Sequence, residues 1–244
     1  MMRMVLVAAA LAAMIALPAR ADDGQTPQLP VAPDGYAYQL NLPKGYSADT
    51  ASRWPLMIFL HGSGERGDDI ARVKVHGPPR VADRDPSLPF VIVSPLLPAD
   101  QDWDIAKLDA LLDHALASLR VDPARVYLTG LSRGGHATWR WAAAEPWRFA
   151  AIAPVAGRGD PEVACALAKV PVWAFHGDRD DVVPPEGSFA MVRAIRACGG
   201  SPRLSIYPDL SHNAWDPSYD DPALYLWLLK QRNPVVRPTP KDKE

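Results

Sequence analysis

Apolar residues along this chain fall into short runs, separated by longer stretches in which they recur every three or four positions. The runs predict strands, and those without polar alternation predict strands that are buried on both faces. The longer stretches predict helices with one apolar face. The predicted strands are 36–42, 54–60, 90–93, 125–129, 150–155, 172–175 and 203–207, and the predicted helices are 104–120, 133–145, 161–168, 187–197 and 222–230.

The alternation of strands with helices predicts an α/β fold of three layers, with a mostly parallel central sheet, flanking helices and no large lid. The chain of 244 residues is long enough for one such domain, which we place at 36–244. Residues 22–35, rich in proline, aspartate and glutamine, are interpreted as an extended leader. Ligands of such sheets bind beyond the carboxyl ends of the strands, so functional side chains are expected on the loops that follow the strands.

The first 21 residues differ from the rest of the chain. Arg3 precedes an uncharged apolar run from Met4 to Leu17, and Ala19, Arg20 and Ala21 fit a small-x-small cleavage site. This pattern predicts a secretory signal peptide at 1–21, because the apolar run is too short for a comfortable transmembrane helix. We therefore expect an exported protein, periplasmic or extracellular, without stable membrane insertion after cleavage.

Charge and cysteine content narrow the possible partners and compartment. The formal net charge of −2 becomes −4 without residues 1–21, which carry two arginines and no acid. This acidic balance does not favour nucleic acid as a partner. The two cysteines, Cys165 and Cys198, predict either one disulfide in an oxidising compartment or two buried thiols. We favour the disulfide slightly, since both residues lie toward the ends of predicted surface helices.

A sharp turn from strand to helix is predicted at Gly130-Leu131-Ser132-Arg133-Gly134. A serine raised on such a turn requires small residues two positions before and after it, because the backbone is crowded there. The helix that follows points free N–H groups and the positive end of its dipole toward the serine. Ser132 is therefore predicted as a nucleophile and the N–H of Arg133 as an oxyanion donor. Taken alone, the motif would also fit a serine in a glycine-rich turn that caps a helix.

A serine hydroxyl becomes an effective nucleophile when an imidazole takes its proton and an acid orients that imidazole. Of the six histidines, His212 follows the last predicted strand, on a loop that can fold over the site, and we predict it as the base. Four of the others are interpreted as solvated, packing or loop-bracing residues: His61, His114, His136 and His176. The fifth, His76, lies on a loop of unknown position.

Three aspartates, Asp178, Asp180 and Asp181, follow another predicted strand and compete for the role of the acid. The order Ser132, Asp180, His212 matches the order of the triad in α/β-hydrolases. Together with His176 the carboxylates could instead bind a metal ion, but they lack the glycine and glutamate that an EF-hand has at its sixth and twelfth positions. We predict no metal ion and no organic cofactor.

These motifs together resemble the α/β-hydrolase superfamily, and within it the small secreted carboxylesterases related to polyhydroxybutyrate depolymerases, feruloyl esterases and peptidase-like proteins of the dienelactone-hydrolase type. The matching segments spread over nearly all of the chain after residue 21, at 60–67, 76–79, 127–135, 176–184 and 211–215. The resemblance implies the α/β-hydrolase fold. It also implies that Asp180, three residues after Gly177, is the acid, and that Asp178 and Asp181 are solvated charges.

The same resemblance implies further site residues. A second oxyanion N–H is expected from Ser63, with Gly64 as the next choice. Arg133 stands where these proteins commonly have methionine, and its long cationic side chain could alter what enters the pocket. Trp103 and Trp215 are placed near the pocket mouth as candidate substrate-binding residues, although either could be a buried packing residue.

The predicted activity is hydrolysis of a small-molecule or oligomeric carboxylic ester through the Ser132–His212–Asp180 triad and an acyl-enzyme intermediate. A serine peptidase of the same fold would share these residues. A non-catalytic binding protein on the same fold is the other alternative, although such a protein would be expected to have lost a residue of the triad.

Overall fold

The structure, a computed structural model, describes residues 23–234, and the predicted signal peptide at 1–21 lies outside the described residues. Eight strands form one sheet in the order β1-β2-β4-β3-β5-β6-β7-β8. Strands β3 to β8 are parallel, whereas β2 pairs antiparallel with both β1 and β4. The strands are β1 (Gly24–Gln28), β2 (Tyr38–Leu42), β3 (Trp54–Leu60), β4 (Val91–Pro95), β5 (Val121–Leu131), β6 (Ala151–Val155), β7 (Trp173–Gly177) and β8 (Arg203–Tyr207).

The described residues also form six α-helices and four short 3-10 helices, of which α5 and α6 follow the last strand. The α-helices are α1 (Gly77–Arg84), α2 (Ile105–Ser118), α3 (Arg133–Ala144), α4 (Glu186–Ala197), α5 (Trp215–Asp220) and α6 (Pro222–Leu229). The 3-10 helices are Ser63–Glu65, Ile70–Lys74, Pro146–Arg148 and Pro161–Leu167. Within residues 23–234, no helix is long and apolar enough to span a membrane. The mostly parallel sheet flanked by helices confirms the predicted α/β class.

The apolar side chains form two cores, one on each face of the sheet. Alternate residues of β3 contribute to opposite cores, because successive side chains of a strand point to opposite faces. Leu56, Ile58 and Leu60 pack with α2, α3 and α4, and Met57 and Phe59 pack with α1, α5 and α6. The continuous apolar run from 54 to 60 is therefore explained by burial on both faces.

The structure differs from the predicted elements at β1, at α1, at α5 and at the start of β5. The leader contributes strand β1, which has no apolar pattern of its own and is stabilised by pairing with β2. Helices α1 and α5 form in regions for which no element was predicted. Strand β5 already begins at Val121, whereas the predicted strand begins at 125.

Cys165 and Cys198 are joined as a disulfide, with their Cα atoms 5.4 Å apart. The bond links the 3-10 helix Pro161–Leu167 to the residue that follows α4. The closed loop spans a sequence separation of 33 residues. In the chain-entropy description, a loop of this size stabilises the fold by about 3 to 4 kcal/mol.

Candidate active site

Ser132 occupies a one-residue turn between the end of β5 and the start of α3. Its backbone has φ 52° and ψ −115°, a conformation that residues with a side chain rarely adopt. The N–H of Ser132 donates a hydrogen bond of 2.9 Å to the carbonyl of Val155, which anchors the turn to β6. The turn thus holds the serine hydroxyl above the carboxyl edge of the sheet.

Two glycines make this turn possible. A Cβ atom on Gly134 would overlap the carbonyl oxygen of Leu60, and one on Gly130 would lie 2.5 Å from the Gly134 carbonyl oxygen. A Cβ atom cannot approach a backbone atom so closely without a steric clash. The small residues that the sequence pattern required are therefore explained by the close passage of β3 beside the start of α3.

His212 and Asp180 complete a hydrogen-bonded chain that starts at Ser132. The Nε2 atom of His212 lies 2.9 Å from Ser132 Oγ, and its Nδ1 atom lies 2.7 Å from Asp180 Oδ2. Asp180 is buried on the loop after β7, and its Oδ1 accepts the N–H groups of Val182 and Val183 at 3.0 and 2.8 Å. Two backbone N–H groups thus orient a carboxylate that in turn orients the imidazole, as general-base activation of a serine requires.

The two residues predicted as oxyanion donors lie on either side of this serine. Ser63 is the first residue of the 3-10 helix after β3, and Arg133 is the first residue of α3, where N–H groups have no partner within the helix. A Cβ atom on the neighbouring Gly62 would lie 3.5 Å from Ser132 Cβ, so this loop passes directly beside the nucleophile. The arrangement is compatible with the oxyanion role of Ser63 and Arg133, which stays a prediction.

The Arg133 side chain connects this loop to the rim of the site. Its Nε atom donates to Ser63 Oγ at 2.9 Å, and its Nη1 atom lies 3.2 Å from Asp102 Oδ1. The guanidinium therefore forms a bridge between the loop and Asp102, and its charge is partly balanced by a carboxylate.

Two buried side chains fix the backbone of the same loop. Glu65 Oε2 accepts the N–H of Gly62 at 2.9 Å, and His61 Nδ1 donates to the carbonyl of Gly62 at 2.7 Å. The other ring nitrogen of His61 accepts the N–H of Leu97 at 3.0 Å. Burial lowers the pKa of His61 to about 4, so the ring is neutral and can both donate and accept. The loop beside Ser132 is thus held rigidly before any substrate arrives.

Comparison with known proteins identifies the family. Residues 99–226, which include Ser132, Asp180 and His212, match the sequence profile of the phospholipase/carboxylesterase family. The chain belongs to this family.

Individual proteins similar to this chain also carry the names of ester-hydrolysing enzymes. A protein named as an esterase, NocK of Nocardia uniformis subsp. tsuyamanensis, is 29% identical over 180 residues, covering 68% of this chain and 51% of NocK. A protein named as a carboxymethylenebutenolidase, of Methylorubrum extorquens, is 32% identical over 141 residues, covering 52% of this chain and 48% of its own. The chain thus spans about half the length of these two relatives.

A solved structure of a thermostable esterase superposes with a TM-score of 0.74 at 27% identity. The superposition covers 85% of this chain and 63% of that esterase. It extends well beyond the segment matched by the profile of the phospholipase/carboxylesterase family, so the family's fold accounts for most of the described chain.

The two candidate binding tryptophans have different environments. Trp215 is half-buried, and its ring lies 5.1 Å from that of His212 and 5.6 Å from that of His76. Trp103 is only 2% exposed and packs edge-on between Tyr36 and His61. A ring buried to that extent offers substrate no surface. The structure therefore corrects the prediction for Trp103, which packs behind the loop that carries Ser63, and leaves Trp215 beside the base.

The remaining histidines take part in packing or loop contacts. His136 Nδ1 accepts the N–H of Arg158 at 2.8 Å, and burial, assisted by the charge of Arg158, lowers its pKa to about 4. His176 is fully buried in β7 and contacts Asp180. His114 is exposed on α2. Within residues 23–234, His212 is the histidine that is hydrogen-bonded to Ser132.

The two aspartates on the same loop as Asp180 have different surroundings from it, since neither is buried. Asp178 is exposed, and Asp181 Oδ1 accepts the hydroxyl of Ser211 at 3.1 Å. In the described part of the chain, no group of three or more histidine, cysteine or acidic side chains is arranged to hold a metal ion.

Glu65 and the contact between His176 and Asp180 were not found from the sequence. The sequence did contain a signal for Glu65, which follows Gly62 by three residues, the spacing at which a carboxylate can accept the N–H at the start of a helix. The sequence did group His176 with Asp180 as a possible metal site, but it gave no signal for the contact of His176 with Ser188, which lies on a different element.

Proposed function

We propose that this protein is a serine esterase that hydrolyses carboxylic esters through an acyl-enzyme intermediate. The observation that carries the proposal is the hydrogen-bonded chain from Ser132 through His212 to Asp180 on a strained turn. Membership of the phospholipase/carboxylesterase family and the esterase names of its relatives support it.

In the first half of the reaction, His212 Nε2 takes the proton of Ser132 as Oγ attacks the ester carbonyl carbon. The N–H groups of Ser63 and Arg133 would donate to the oxyanion that forms, at the moment when negative charge develops. Asp180 stabilises the protonated imidazole. Protonated His212 then gives its proton to the departing alkoxide, and the acyl group stays on Ser132.

In the second half, His212 takes a proton from water, which attacks the acyl-enzyme carbonyl. The same donors hold the second oxyanion. His212 then returns the proton to Ser132 Oγ as the carboxylic acid leaves, so the enzyme is regenerated without a net change. The substrate class we propose is a small-molecule or oligomeric ester.

The experiment that tests this proposal is turnover of p-nitrophenyl esters from acetate to decanoate by the purified protein. Ser132→Ala and His212→Ala are compared with wild type. The expected result is a loss of about 10³-fold or more in kcat for each variant, with unchanged folding by circular dichroism. Wild type that turns over peptide amides but no ester would favour the peptidase alternative. Inactivity on both, or activity that survives in Ser132→Ala, would refute the proposed nucleophile.

We also propose that residues 1–21 direct export and are removed, so that the protein acts in the periplasm or outside the cell. The disulfide between Cys165 and Cys198 supports this location, since such bonds persist in oxidising compartments. The intact mass of protein recovered from the exported fraction is expected to correspond to a chain that begins at Asp22. Protein that retains Met1 and stays inside the cell would contradict the proposal.

A further inference from the structure

His176 is a second, buried imidazole that contacts the same carboxylate oxygen of the proposed catalytic acid as the base does. Its side chain is fully buried near the end of β7. Its Nε2 atom lies 3.1 Å from Asp180 Oδ2 and 2.8 Å from the carbonyl oxygen of Val183. Its Nδ1 atom lies 2.8 Å from Ser188 Oγ on α4. Both ring nitrogens therefore have partners.

These partners fix the position of the ring proton. A carbonyl oxygen accepts hydrogen bonds and cannot donate them, so Nε2 must carry the proton that it shares between Val183 and Asp180. The single proton of the Ser188 hydroxyl can go either to Nδ1 or to the carbonyl oxygen of Gly157, and neither choice changes the assignment of Nε2 as a donor. His176 is thus a donor to Asp180.

Asp180 Oδ2 consequently receives two imidazole N–H groups, from His212 at 2.7 Å and from His176 at 3.1 Å. We propose that His176 is a positioning residue for the ester hydrolysis proposed above. As the second imidazole on Asp180, it fixes the carboxylate and limits how strongly Asp180 stabilises the protonated form of His212. This inference rests on the proposed function.

The contacts beyond His176 extend to the elbow. Ser188 Oγ also lies 3.1 Å from the carbonyl oxygen of Gly157. Gly157 packs directly on α3, because a Cβ atom at position 157 would lie 2.7 Å from Gly135 Cα. His176 therefore connects the loop of the acid, through α4, to the helix that begins next to the nucleophile.

Few titratable groups contact the rings of His176 and His212 among the described residues. Within residues 23–234, Asp180 is the titratable side chain hydrogen-bonded to His176, while α4 contributes the Ser188 hydroxyl and β8 places Ile206 beside it in register. The Nδ1 atom of His212 is hydrogen-bonded to Asp180, and its Nε2 atom is hydrogen-bonded to Ser132. The ring of Trp215 separates it from His76, and Asp181 contacts the neighbouring Ser211.

The direction in which the pH–rate profile should move when His176 is replaced follows from the two hydrogen bonds that share Asp180 Oδ2. A second donor withdraws negative charge from the oxygen that faces His212, so removing that donor favours protonated His212. His176→Phe should therefore move the acid limb of the pH–rate profile upward by about one pH unit, because a hydrogen bond to a charged group is lost. The rate at the optimum should fall about 10- to 100-fold, since Asp180 is held less accurately.

Two variants separate the donor from mere packing. His176→Gln keeps an amide N–H that can reach Asp180, and it should keep the acid limb at the wild-type pH. Ser188→Ala disturbs the same buried contacts but leaves the Nε2–H donor on Asp180, so its acid limb should also stay in place. A shift in His176→Phe alone supports the inference.

The readout is the rate of phosphonylation by a fluorophosphonate as a function of pH, which reports serine activation without requiring a known substrate. Wild type that does not react would overturn the proposed function itself. Wild type that reacts, together with a folded His176→Phe variant whose acid limb is unchanged, would overturn the inference alone. An equal shift in Ser188→Ala would also overturn it, because that result assigns the effect to packing.

A measurement on wild type covers the case in which His176→Phe does not fold. Nitrogen-15 spectra of the histidine rings should show a proton on Nε2 of His176, as its contact with the Val183 carbonyl requires. They should also show that its Nε2–H signal moves when His212 is protonated. A proton on Nδ1 with bare Nε2, or a signal that does not respond to His212, contradicts the inference.

Discussion

Gly134 lies so close to Leu60 that a Cβ atom at position 134 would overlap the Leu60 carbonyl oxygen. The backbone of Leu60 cannot shift to relieve this overlap, because Leu60 ends a central strand that is hydrogen-bonded to β4 on one side and to β5 on the other. The position of the nucleophile above the sheet is therefore set by direct contact between two backbones.

We expect Gly134→Ala to destabilise the protein by about 3 kcal/mol or more, because the added methyl group can be accommodated only by moving β3 or α3. Gly64→Ala is the matched control, since a Cβ atom there meets nothing within 4 Å. Its effect should stay within about 0.5 kcal/mol. Urea unfolding monitored by circular dichroism measures both. Equal stability of the two variants would show that the elbow has more freedom than its contacts indicate.

Because the backbone of Ser132 is strained, we expect replacement of this residue by glycine to relieve the strain while abolishing activity. Ser132→Gly should be more stable than Ser132→Ala by about 1 kcal/mol, because glycine adopts φ 52° without strain, an advantage reduced by its greater freedom in the unfolded chain. Both variants should be inactive. Thermal unfolding of the two side by side gives the comparison. A glycine variant that is less stable than the alanine variant would mean that the turn stores no strain.

The buried histidines predict a loss of stability in mild acid. Burial lowers the pKa of His61 and of His136 to about 4, below the value of about 6.5 for an unfolded histidine. The unfolded state thus binds more protons between pH 6.5 and 4, so the free energy of unfolding falls as the pH is lowered through that window. For His61 alone, the full shift corresponds to about 3 kcal/mol.

Urea unfolding at pH 7 and pH 4.5 measures this effect, with two variants for comparison. His136→Gln should lose part of the difference between the two pH values. His114→Gln, at an exposed position, should keep all of it. If His136→Gln showed the full wild-type difference, the buried ring would not be a source of the acid sensitivity.

Glu65 predicts an effect on kcat rather than on KM. Glu65→Ala removes the acceptor of the Gly62 N–H and should lower kcat about tenfold, because the loop that carries Ser63 is held less accurately. KM should change little, since the proposed oxyanion contact is made in the transition state. Glu65→Gln retains an oxygen that can accept the N–H, and it should recover most of kcat. A change confined to KM in Glu65→Ala would assign Glu65 to substrate binding instead.

The sequence predicted the parts of this protein whose signals are local. Strands β3 and β8 have the predicted bounds. Strand β3 is a continuous, buried apolar run, whereas β8 alternates polar and apolar residues and is only half-buried. The glycines around Ser132 identified the elbow, since the constraint acts within five residues. Ser132, Asp180 and His212 were candidates because each lies on the turn or loop that follows a strand of one parallel sheet. The choice of Asp180 among the three aspartates of its loop came from the order of the triad and from the family resemblance.

The features that the sequence did not reveal depend on partners distant in the chain. Strand β1 exists because the free edge of β2 is available to it, and its own residues carry no alternating pattern. The burial of Trp103 depends on Tyr36 and His61, which belong to separate segments. The contact of His176 with Ser188 likewise depends on how α4 packs on the sheet.

Strand β1 covers the outer edge of β2, all of whose residues are buried. Asp23, just before β1, accepts the N–H groups of Gly45 and Ser47 and ties the beginning of the strand to the turn after β2. A shortened protein that begins at residue 36 would leave that edge open, and an open edge pairs readily with strands of other molecules. We therefore expect recombinant versions that omit 23–35 to self-associate as their concentration rises, which size-exclusion chromatography at increasing concentrations would measure.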